Sequence, residues 1–146
     1  MSQLQQIVYV SRVVGSLSAP ELRGILHLAR RGNRQRDITG LLICTGRSFL
    51  QVLEGETGVL AALVGSIGDD PRHSDMRILS TQPITRRAHG EWDMALVSSP
   101  DFADEIDAFA AGAAAASDHA VLDLTRGLAS QGHRSDPACN GRFSRV

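Results

Sequence analysis

The sequence contains no lysine, because all fifteen basic residues among its 146 are arginines. Without lysine the chain cannot form a Schiff base at a side-chain amine or supply the lysine of a P-loop. Its two cysteines, Cys44 and Cys139, are too few and too far apart for a cysteine-rich zinc site or a disulfide scaffold. Tyrosine and tryptophan occur once each, as Tyr9 and Trp92. This composition excludes several common chemistries and favours a reducing, cytoplasmic environment.

Charge of neither sign dominates, since fifteen basic and sixteen acidic residues leave a formal net charge of −1. A chain with this balance has no global field that attracts nucleic acid or an anionic membrane. Residues 1–6 are polar, and no apolar run reaches the length of a membrane-spanning helix. We therefore expect a soluble cytoplasmic protein that is long enough for one domain.

The charge balance changes near residue 99. Residues 1–99 carry eleven basic and nine acidic residues, whereas residues 100–146 carry four and seven. The second part is rich in alanine, and helices are predicted over residues 102–116 and 118–129, followed by a polar, frayed end. We expect one domain over residues 1–99 and a helical C-terminal extension over residues 100–146.

Hydrophobic periodicity predicts seven elements in the domain. The first helix begins at a capping-box pattern, Ser18 and Glu21, and Gly32 is its expected end. Gly46 lies in a hairpin signal between the second and third strands. The predicted strands span residues 5–12, 38–44, 48–54, 76–81 and 94–98, and the second helix spans residues 59–67.

The order of these elements, β-α-β-β-α-β-β, predicts the fold class. A split β-α-β arrangement places two helices on one face of a mixed sheet, as in ferredoxin-like domains. The expected fold is therefore a ferredoxin-like α+β domain followed by the helical extension.

Two polar side chains fall on the buried face of predicted strands. Alternation in the third strand places Gln51 between Phe49 and Leu53, and Tyr9 shares the face of Ile7 in the first strand. A buried amide costs about 1–3 kcal/mol unless its donors and acceptor are paired, so this glutamine needs a partner. Both residues fit either a satisfied structural role in the core or a binding site, and the pattern alone leaves both interpretations open.

Polar residues also gather at the predicted ends of the two helices. Asn33 and Arg34 follow the first helix, where an asparagine is either a turn residue or an amide partner for a flat heterocycle. Asp70, Arg72 and His73 follow the second helix, where they form either a solvated turn or contacts to the hydroxyls and phosphates of a nucleotide-like chain.

Other chemistries lack their sequence patterns. The sequence has no HExxH or close metal-ligand spacing, no nucleophile-elbow motif and no Gly-x-Gly-x-x-Gly. Aromatic residues are too few for an RNA-binding sheet. Trp92 and Met94 alternate before the last strand, a pattern that is typical of the edge of a core. The residues alone thus indicate a small binding domain with an amide-lined pocket.

Five motifs, in order and with the spacing of one family, carry a resemblance. On these motifs, over residues 5–99, the chain resembles the BLUF domains, which are blue-light sensors that use FAD. Its extension resembles that of short, stand-alone members, which signal through a partner or through rearrangement of an oligomer. The motifs are IVYVSR at 7–12, NRQRDITG at 33–40, FLQVLEG at 49–55, DDPRHSDM at 69–76 and WDMALV at 92–97.

The resemblance implies a ferredoxin-like fold with the flavin between the two helices, and a role for each candidate residue. Tyr9 matches the photoactive tyrosine, which donates an electron and a proton to the excited flavin. Gln51 matches the glutamine between that tyrosine and the flavin, and Asn33 matches the asparagine at the pyrimidine-like edge of the ring. The expected result is a reversible, slightly red-shifted state, reached by rotation or tautomerisation of the Gln51 amide.

Two departures from the family pattern affect the expected phosphate contacts. Some relatives carry a polar or basic residue at the position of Gly32 and a basic residue near Ser66. Phosphate contacts are therefore expected to rely on Arg34 or Arg72. The resemblance implies further cofactor contacts from Asp70, His73 and Met94.

The resemblance also implies an output path. Trp92 and Met94 match a pair whose arrangement changes with the signalling state, and residues 98–102 lead from there into the extension. We expect signalling to an unidentified protein or a second copy, without nucleic acid, membrane or substrate turnover. The alternatives are a light-inactive flavin- or nucleotide-binding module or a small flavoenzyme, and a dimerisation module that uses the alanine-rich extension.

Overall fold

A computed structural model describes residues 3–16, 18–88, 90, 94–96 and 103–111. Within these residues the chain forms five strands and three helices, and the α+β class predicted from the sequence is confirmed. The elements are β1 Leu4–Val13, α1 Ala19–Gln35, β2 Thr39–Cys44, β3 Ser48–Glu56, α2 Thr57–Gly68, β4 His73–Ile84, β5 Ala95–Leu96 and α3 Ala103–Ala110.

The strands form one sheet in the order β4-β1-β3-β2-β5. β1 pairs antiparallel with β3 and β4, β2 pairs antiparallel with β3, and β5 pairs in parallel with β2. β1 and β2 therefore run parallel on either side of β3, and β3 and β4 run parallel on either side of β1. These are two split β-α-β units, so the predicted ferredoxin-like mixed sheet is confirmed.

Helices pack on both faces of the sheet. Alternate residues of β1 and β3 face opposite sides, so each face has its own apolar cluster beneath helices. The alternation predicted for β3 is confirmed. The cluster beneath α1 and α2 consists of Ile7, Tyr9, Leu26, Ile38, Leu42, Phe49, Leu53, Leu60 and Met94. The cluster beneath α3 consists of Val8, Val10, Leu41, Ile43, Leu50, Val52, Ile106, Phe109 and Ala110.

The start of α1 agrees with the sequence prediction, whereas the end of the helix does not. The capping box of Ser18 and Glu21 is present, with the Ser18 side chain accepting from the Glu21 backbone N–H at 3.2 Å. The predicted end at Gly32 was wrong, because the helix continues to Gln35 and Asp37 takes the left-handed conformation, with φ 54°. A glycine weakens a helix by about 1 kcal/mol, which buried side chains in the next turn can outweigh.

The fourth strand is longer than predicted. Residues 76–81 were expected, whereas β4 begins at His73 and ends at Ile84. β4 is an edge strand whose residues are mostly exposed or half-buried, so its sequence lacks the clear alternation of a half-buried strand. Its bounds are set by backbone pairing with β1, which side-chain patterns do not report.

The C-terminal extension is described only at its start. α3 falls within the helix predicted over residues 102–116, and it packs on the sheet through the cluster that contains Ile106 and Phe109. Thr45, in the turn between β2 and β3, donates to Asp107 of α3 at 2.6 Å, which ties the helix to the domain. The predicted helix over 118–129 and the polar end lie outside the described residues. Among the described helices, none has the length and hydropathy needed to cross a bilayer.

Candidate functional site

A cleft of about 250 Å³ opens between α1 and α2 above the sheet. Its walls are mostly apolar side chains from the two helices, and its floor comes from β1, β2 and β3. The apolar lining consists of Ile25, Leu28, Ala29, Leu42, Phe49, Leu63 and Ile67. The remaining lining residues are Tyr9, Gly32, Asn33, Arg36, Gln51, Asp70, Arg72 and His73.

Tyr9 and Gln51 form a hydrogen-bonded pair at the floor of this cleft. They occupy partner positions on the antiparallel strands β1 and β3, so their side chains lie side by side on one face. The Tyr9 hydroxyl donates to Gln51 Oε1, and the two residues are only 4% and 6% exposed. Gln51 is therefore buried, and its amide oxygen is paired with the Tyr9 hydroxyl.

The other end of the Gln51 amide reaches Met94. Gln51 Nε2 donates to Met94 Sδ at 3.3 Å, and the backbone carbonyl of Met94 accepts from Arg30 Nε of α1 at 2.9 Å. Met94 is fully buried next to β5. The amide orientation is the one that satisfies both neighbours, because a hydroxyl can donate to the oxygen and a thioether can only accept. The buried chain Tyr9–Gln51–Met94 thus has a defined donor direction.

Burial holds Tyr9 in its neutral form. Desolvation raises the pKa of the Tyr9 phenol well above its usual value, and the negative charge of Asp70 raises it further. The phenol therefore keeps its proton throughout the neutral range and donates it to Gln51.

Asn33 lies in the last turn of α1, not after the helix as the sequence analysis predicted. It is 3% exposed and lines the cleft, and it lies seven residues beyond Leu26, the other buried residue of the helix. Its backbone carbonyl accepts from the Ile38 N–H at 2.8 Å, which fixes the turn into β2. The side-chain amide is thereby held at the wall of the cleft on a rigid element.

The prediction that Arg34 contacts a ligand finds no support in the cleft lining, where Arg36 occurs instead. Because α1 continues past Gly32, the helical period carries Arg36 to the cleft side, four residues from Gly32 and three from Asn33. Sequence reasoning missed Arg36 because it ended the helix at Gly32. Extending the helical spacing by one turn is the signal that finds it.

Asp70 and Arg72 form an ion pair at the side of the cleft that follows α2. Asp70 accepts from the Arg72 backbone N–H and from Nε, both at 2.9 Å, and from Nη2 at 2.5 Å. These hydrogen bonds lower the pKa of Asp70 to about 2 and raise the pKa of Arg72. Asp70 and Arg72 therefore both stay charged, and each orients the side chain of the other.

His73 connects α2 to β1 at the same side of the cleft. Its Nε2 lies 2.5 Å from the Ile67 carbonyl oxygen, which can only accept, so Nε2 carries a proton. Its Nδ1 lies 2.7 Å from Ser11 Oγ, and in the neutral ring it accepts from that hydroxyl. The ring centroid lies 6.3 Å from that of Tyr9, so His73 is a wall of the same cleft.

The arrangement suits a flat conjugated heterocycle that carries a polar, charged chain. Apolar helix walls face each other above a floor with an amide and a phenol, and an asparagine amide stands at one side. Guanidinium groups lie among the more exposed lining residues. The structure brings six predicted residues to one cleft, namely Tyr9, Asn33, Gln51, Asp70, Arg72 and His73, with Met94 in contact through Gln51. Trp92 lies outside the described residues.

A family model supports this interpretation of the cleft. The model described as BLUF, sensors of blue-light using FAD, matches residues 4–95, which include every described cleft residue.

Curated proteins with similar sequences respond to light. The photoactivated adenylate cyclase subunit beta of Euglena longa is 35% identical over 94 residues, which are 64% of this chain and 11% of that protein. The blue light- and temperature-regulated antirepressor BluF of Escherichia coli is 29% identical over 93 residues, which are 64% of this chain and 23% of that protein. The chain thus matches about a tenth of the cyclase's length and under a quarter of the antirepressor's.

Solved structures agree with the fold. BlrB, a BLUF protein in its dark state, superposes with a TM-score of 0.76 at 28% identity, covering 89% of this chain and 98% of that chain. A bacterial light-regulated adenylyl cyclase has a TM-score of 0.66 at 27% identity, covering 83% of this chain and 36% of that one.

Proposed function

Because this chain belongs to the BLUF family of blue-light sensors that use FAD, we propose that its cleft between α1 and α2 binds the flavin and that Tyr9 and Gln51 carry the light response. The observation that carries the proposal is the hydrogen bond from the buried Tyr9 hydroxyl to Gln51 Oε1 on the cleft floor. The response requires a tyrosine that is hydrogen-bonded to an amide whose donor and acceptor ends can be exchanged.

The residues present fit a flavin in composition and position. Ile25 and Leu63 stand on the two helices that face the cleft, and they offer apolar contact to the faces of a ring system. The Asn33 amide has both a donor and an acceptor, which suits the alternating carbonyl and N–H groups of the pyrimidine-like edge. Arg72 and His73 are available for the polar chain, with Asp70 orienting Arg72.

When bound, the flavin supplies absorption of blue light and, once excited, a strong pull on electrons. Tyr9 would be the residue that gives an electron to the excited flavin. An oxidised phenol is far more acidic than a neutral one, so its proton leaves along the existing hydrogen bond to Gln51 Oε1. On return of the electron and the proton, Tyr9 is neutral again and no substrate is consumed.

The Gln51 amide keeps a changed hydrogen-bond arrangement after the electron and the proton have returned to Tyr9. A rotation or a tautomerisation of its amide reverses the donor and acceptor ends without a change of backbone. The reversed amide would be able to donate an additional hydrogen bond to a bound flavin, and such a bond would account for a small red shift. In a buried site, such a bond is stronger than it is in water.

Output begins at Met94. In the present arrangement Gln51 Nε2 donates to Met94 Sδ, and an amide reversed by rotation presents oxygen to a thioether that has no proton. The contact is then lost, and Met94 and β5 are released to rearrange. We infer that residues 1–99 sense light and that the extension over residues 100–146 transmits the change to a partner protein or a second copy.

The proposed sensor has no substrate of its own. The curated relatives with cyclase names match it over about a tenth of their length, so their catalytic activity is not carried over. The two widely spaced cysteines favour a cytoplasmic location. Trp92 is proposed as a second member of the relay with Met94, on the strength of its position before β5.

The decisive experiment is an absorption spectrum of the full chain, purified in the dark and reconstituted with FAD, before, during and after blue illumination. We expect flavin bands that move slightly to the red and return in darkness. The Gln51→Leu variant should bind flavin and show no shift, whereas Gln35→Leu, at an exposed position on α1, should shift like the unaltered chain.

Other outcomes identify the alternatives. Bound flavin without a shift would indicate a light-inactive flavin module. Flavin that is reduced only when a substrate is added would indicate a small flavoenzyme. No bound chromophore after reconstitution would contradict the cofactor assignment and leave only the fold.

A further inference from the structure

Helix α1 presents two neighbouring stripes of residues to the cleft, each with a spacing of four. The inner stripe ends in the buried Asn33. The outer stripe begins with Leu28, which is 63% exposed, so this stripe lies at the mouth of the cleft. The inner stripe is Ile25, Ala29 and Asn33, and the outer stripe is Leu28, Gly32 and Arg36.

The Arg36 side chain lies along the outer stripe. Its Nη1 is 3.2 Å from the point that a Cβ on Gly32 would occupy, so the guanidinium folds back over the glycine toward the preceding turn. Gly32 has no side chain to fill this space. The charge of Arg36 is therefore held at the wall of the cleft.

Arg36 also gives the mouth of the cleft its positive charge. The charged lining residues are Arg36, Arg72 and Asp70, and the Asp70 carboxylate already accepts hydrogen bonds from three N–H groups of Arg72. Within the described part of the chain, the ion pairs are Asp70–Arg72 and Asp37–Arg87, and neither involves Arg36. An anionic group that enters the cleft thus meets one uncompensated guanidinium.

We propose that Arg36 is a phosphate-binding residue of this cleft and makes it select phosphorylated flavins over riboflavin. This inference rests on the proposed function. A heterocycle that reaches Tyr9, Gln51 and Asn33 occupies the inner end, so a chain attached to it leads toward the mouth. A guanidinium matches the oxygens of a phosphoryl group with two parallel donors and keeps its charge at any physiological pH.

A simpler role for Arg36 is to complement the helix dipole. It is the C-terminal cap of α1, where a positive charge stabilises the helix by itself. That role affects the stability of the protein without ligand and treats all flavins alike. The two roles are therefore separated by comparing flavins that differ only in their phosphates.

The test measures the dissociation constants of riboflavin, FMN and FAD in the dark, by quenching of flavin fluorescence, for the full chain and two variants. The variants are Arg36→Gln and Arg31→Gln, the latter a matched control at an exposed position of α1 outside the cleft lining. Thermal unfolding without ligand is measured for all three proteins. An Arg34→Gln variant tests the neighbouring arginine in the same way.

We expect the unaltered chain to bind FMN and FAD more tightly than riboflavin. Arg36→Gln should weaken both phosphorylated flavins by roughly three- to tenfold and leave riboflavin unchanged, since one exposed charge-assisted contact is lost. Arg31→Gln should change none of the three constants. Raising the salt to about 0.3 M should weaken FMN binding to the unaltered chain more than to Arg36→Gln.

Four results would overturn the assignment. Equal weakening of all three flavins assigns Arg36 to the helix or the ring site, and weakening of FAD alone assigns it to the adenosine. No change, or the same loss of phosphate selectivity in Arg34→Gln but not in Arg36→Gln, removes Arg36 from the site. If the unaltered chain binds none of the three flavins, the proposed function itself fails, which is a different result.

Discussion

The amide of Gln51 joins Tyr9 to Met94, because its oxygen accepts from the Tyr9 hydroxyl while its nitrogen donates to Met94 Sδ at 3.3 Å. A phenol can both donate and accept, whereas a thioether can only accept. The two neighbours therefore respond differently to a reversal of the amide. Tyr9 can adapt by turning its hydroxyl, but Met94 loses its partner.

Replacing Tyr9 with phenylalanine removes the electron and proton donor and leaves the shape of the floor. We expect Tyr9→Phe to bind flavin and to show no reversible red shift, as measured by a light-minus-dark difference spectrum. Stability should fall by about 1 kcal/mol, because Gln51 Oε1 loses its donor. Since Tyr9 is the only tyrosine, a tyrosine radical signal must vanish with it. A normal red shift in this variant would contradict the proposed role of Tyr9.

Replacing Met94 with leucine keeps the buried volume and removes the sulfur acceptor. The dark arrangement of Gln51 then loses a weak hydrogen bond that the reversed amide does not make. We expect Met94→Leu to slow the return to the dark spectrum by about two- to fivefold. Met76→Leu is the matched control, because Met76 packs against the same cluster. Its side chain makes none of the side-chain hydrogen bonds among the described residues and does not line the cleft. Equal recovery rates for Met94→Leu and Met76→Leu would exclude the sulfur contact as a factor.

Arg30 holds the segment that contains Met94 to α1 through the Met94 carbonyl. We expect Arg30→Gln to speed hydrogen exchange in β5, with flavin binding preserved, because one anchor of that segment is removed. Arg23→Gln, at an exposed position on the same helix, should leave the exchange unchanged. Unaltered exchange in Arg30→Gln would show that β5 is held by its pairing with β2 alone.

The ion pair of Asp70 and Arg72 predicts a specific acid sensitivity. The pKa of Asp70 falls from 3.8 to about 2 in the folded protein, so its contribution to stability is present above about pH 4 and is lost as the pH falls toward 2. We expect urea unfolding to show a smaller loss of stability over this range for Asp70→Asn than for the unaltered chain. Asp69→Asn serves as the neighbouring control. Identical pH dependence in the unaltered chain and Asp70→Asn would contradict the prediction.

Local periodicity was sufficient to predict which face of the sheet Tyr9 and Gln51 occupy. A strand alternates strictly, so the positions of Phe49 and Leu53 fixed the face of Gln51, and Ile7 fixed the face of Tyr9. The capping box likewise marked the start of α1, since its two hydrogen bonds join residues three apart in sequence. These features depend on neighbours along the chain.

Features that depend on distant pairing were not predictable in this way. Whether α1 stops at Gly32 or continues is decided by burial of Asn33 against the rest of the domain, and the position of Arg36 follows from that outcome. The contact of Gln51 with Met94 requires the last strand to lie beside β2, forty residues or more from its partners in sequence. The motifs that contain Gln51 and Met94 resemble those of the family, but they do not show which atom donates the hydrogen bond and which accepts it.

The alternation of β3 has a practical consequence for building reporters on this domain. Gln51 faces the cleft, while its neighbours Leu50 and Val52 pack in the cluster that holds α3 on the opposite face. The β3 residues that pack in the cluster with α3 therefore belong to the same backbone segment as Gln51. A fluorescent group attached to α3 would therefore lie on the face of the sheet opposite the cleft. It would report a displacement of β3 through the cluster that α3 forms with Leu50 and Val52.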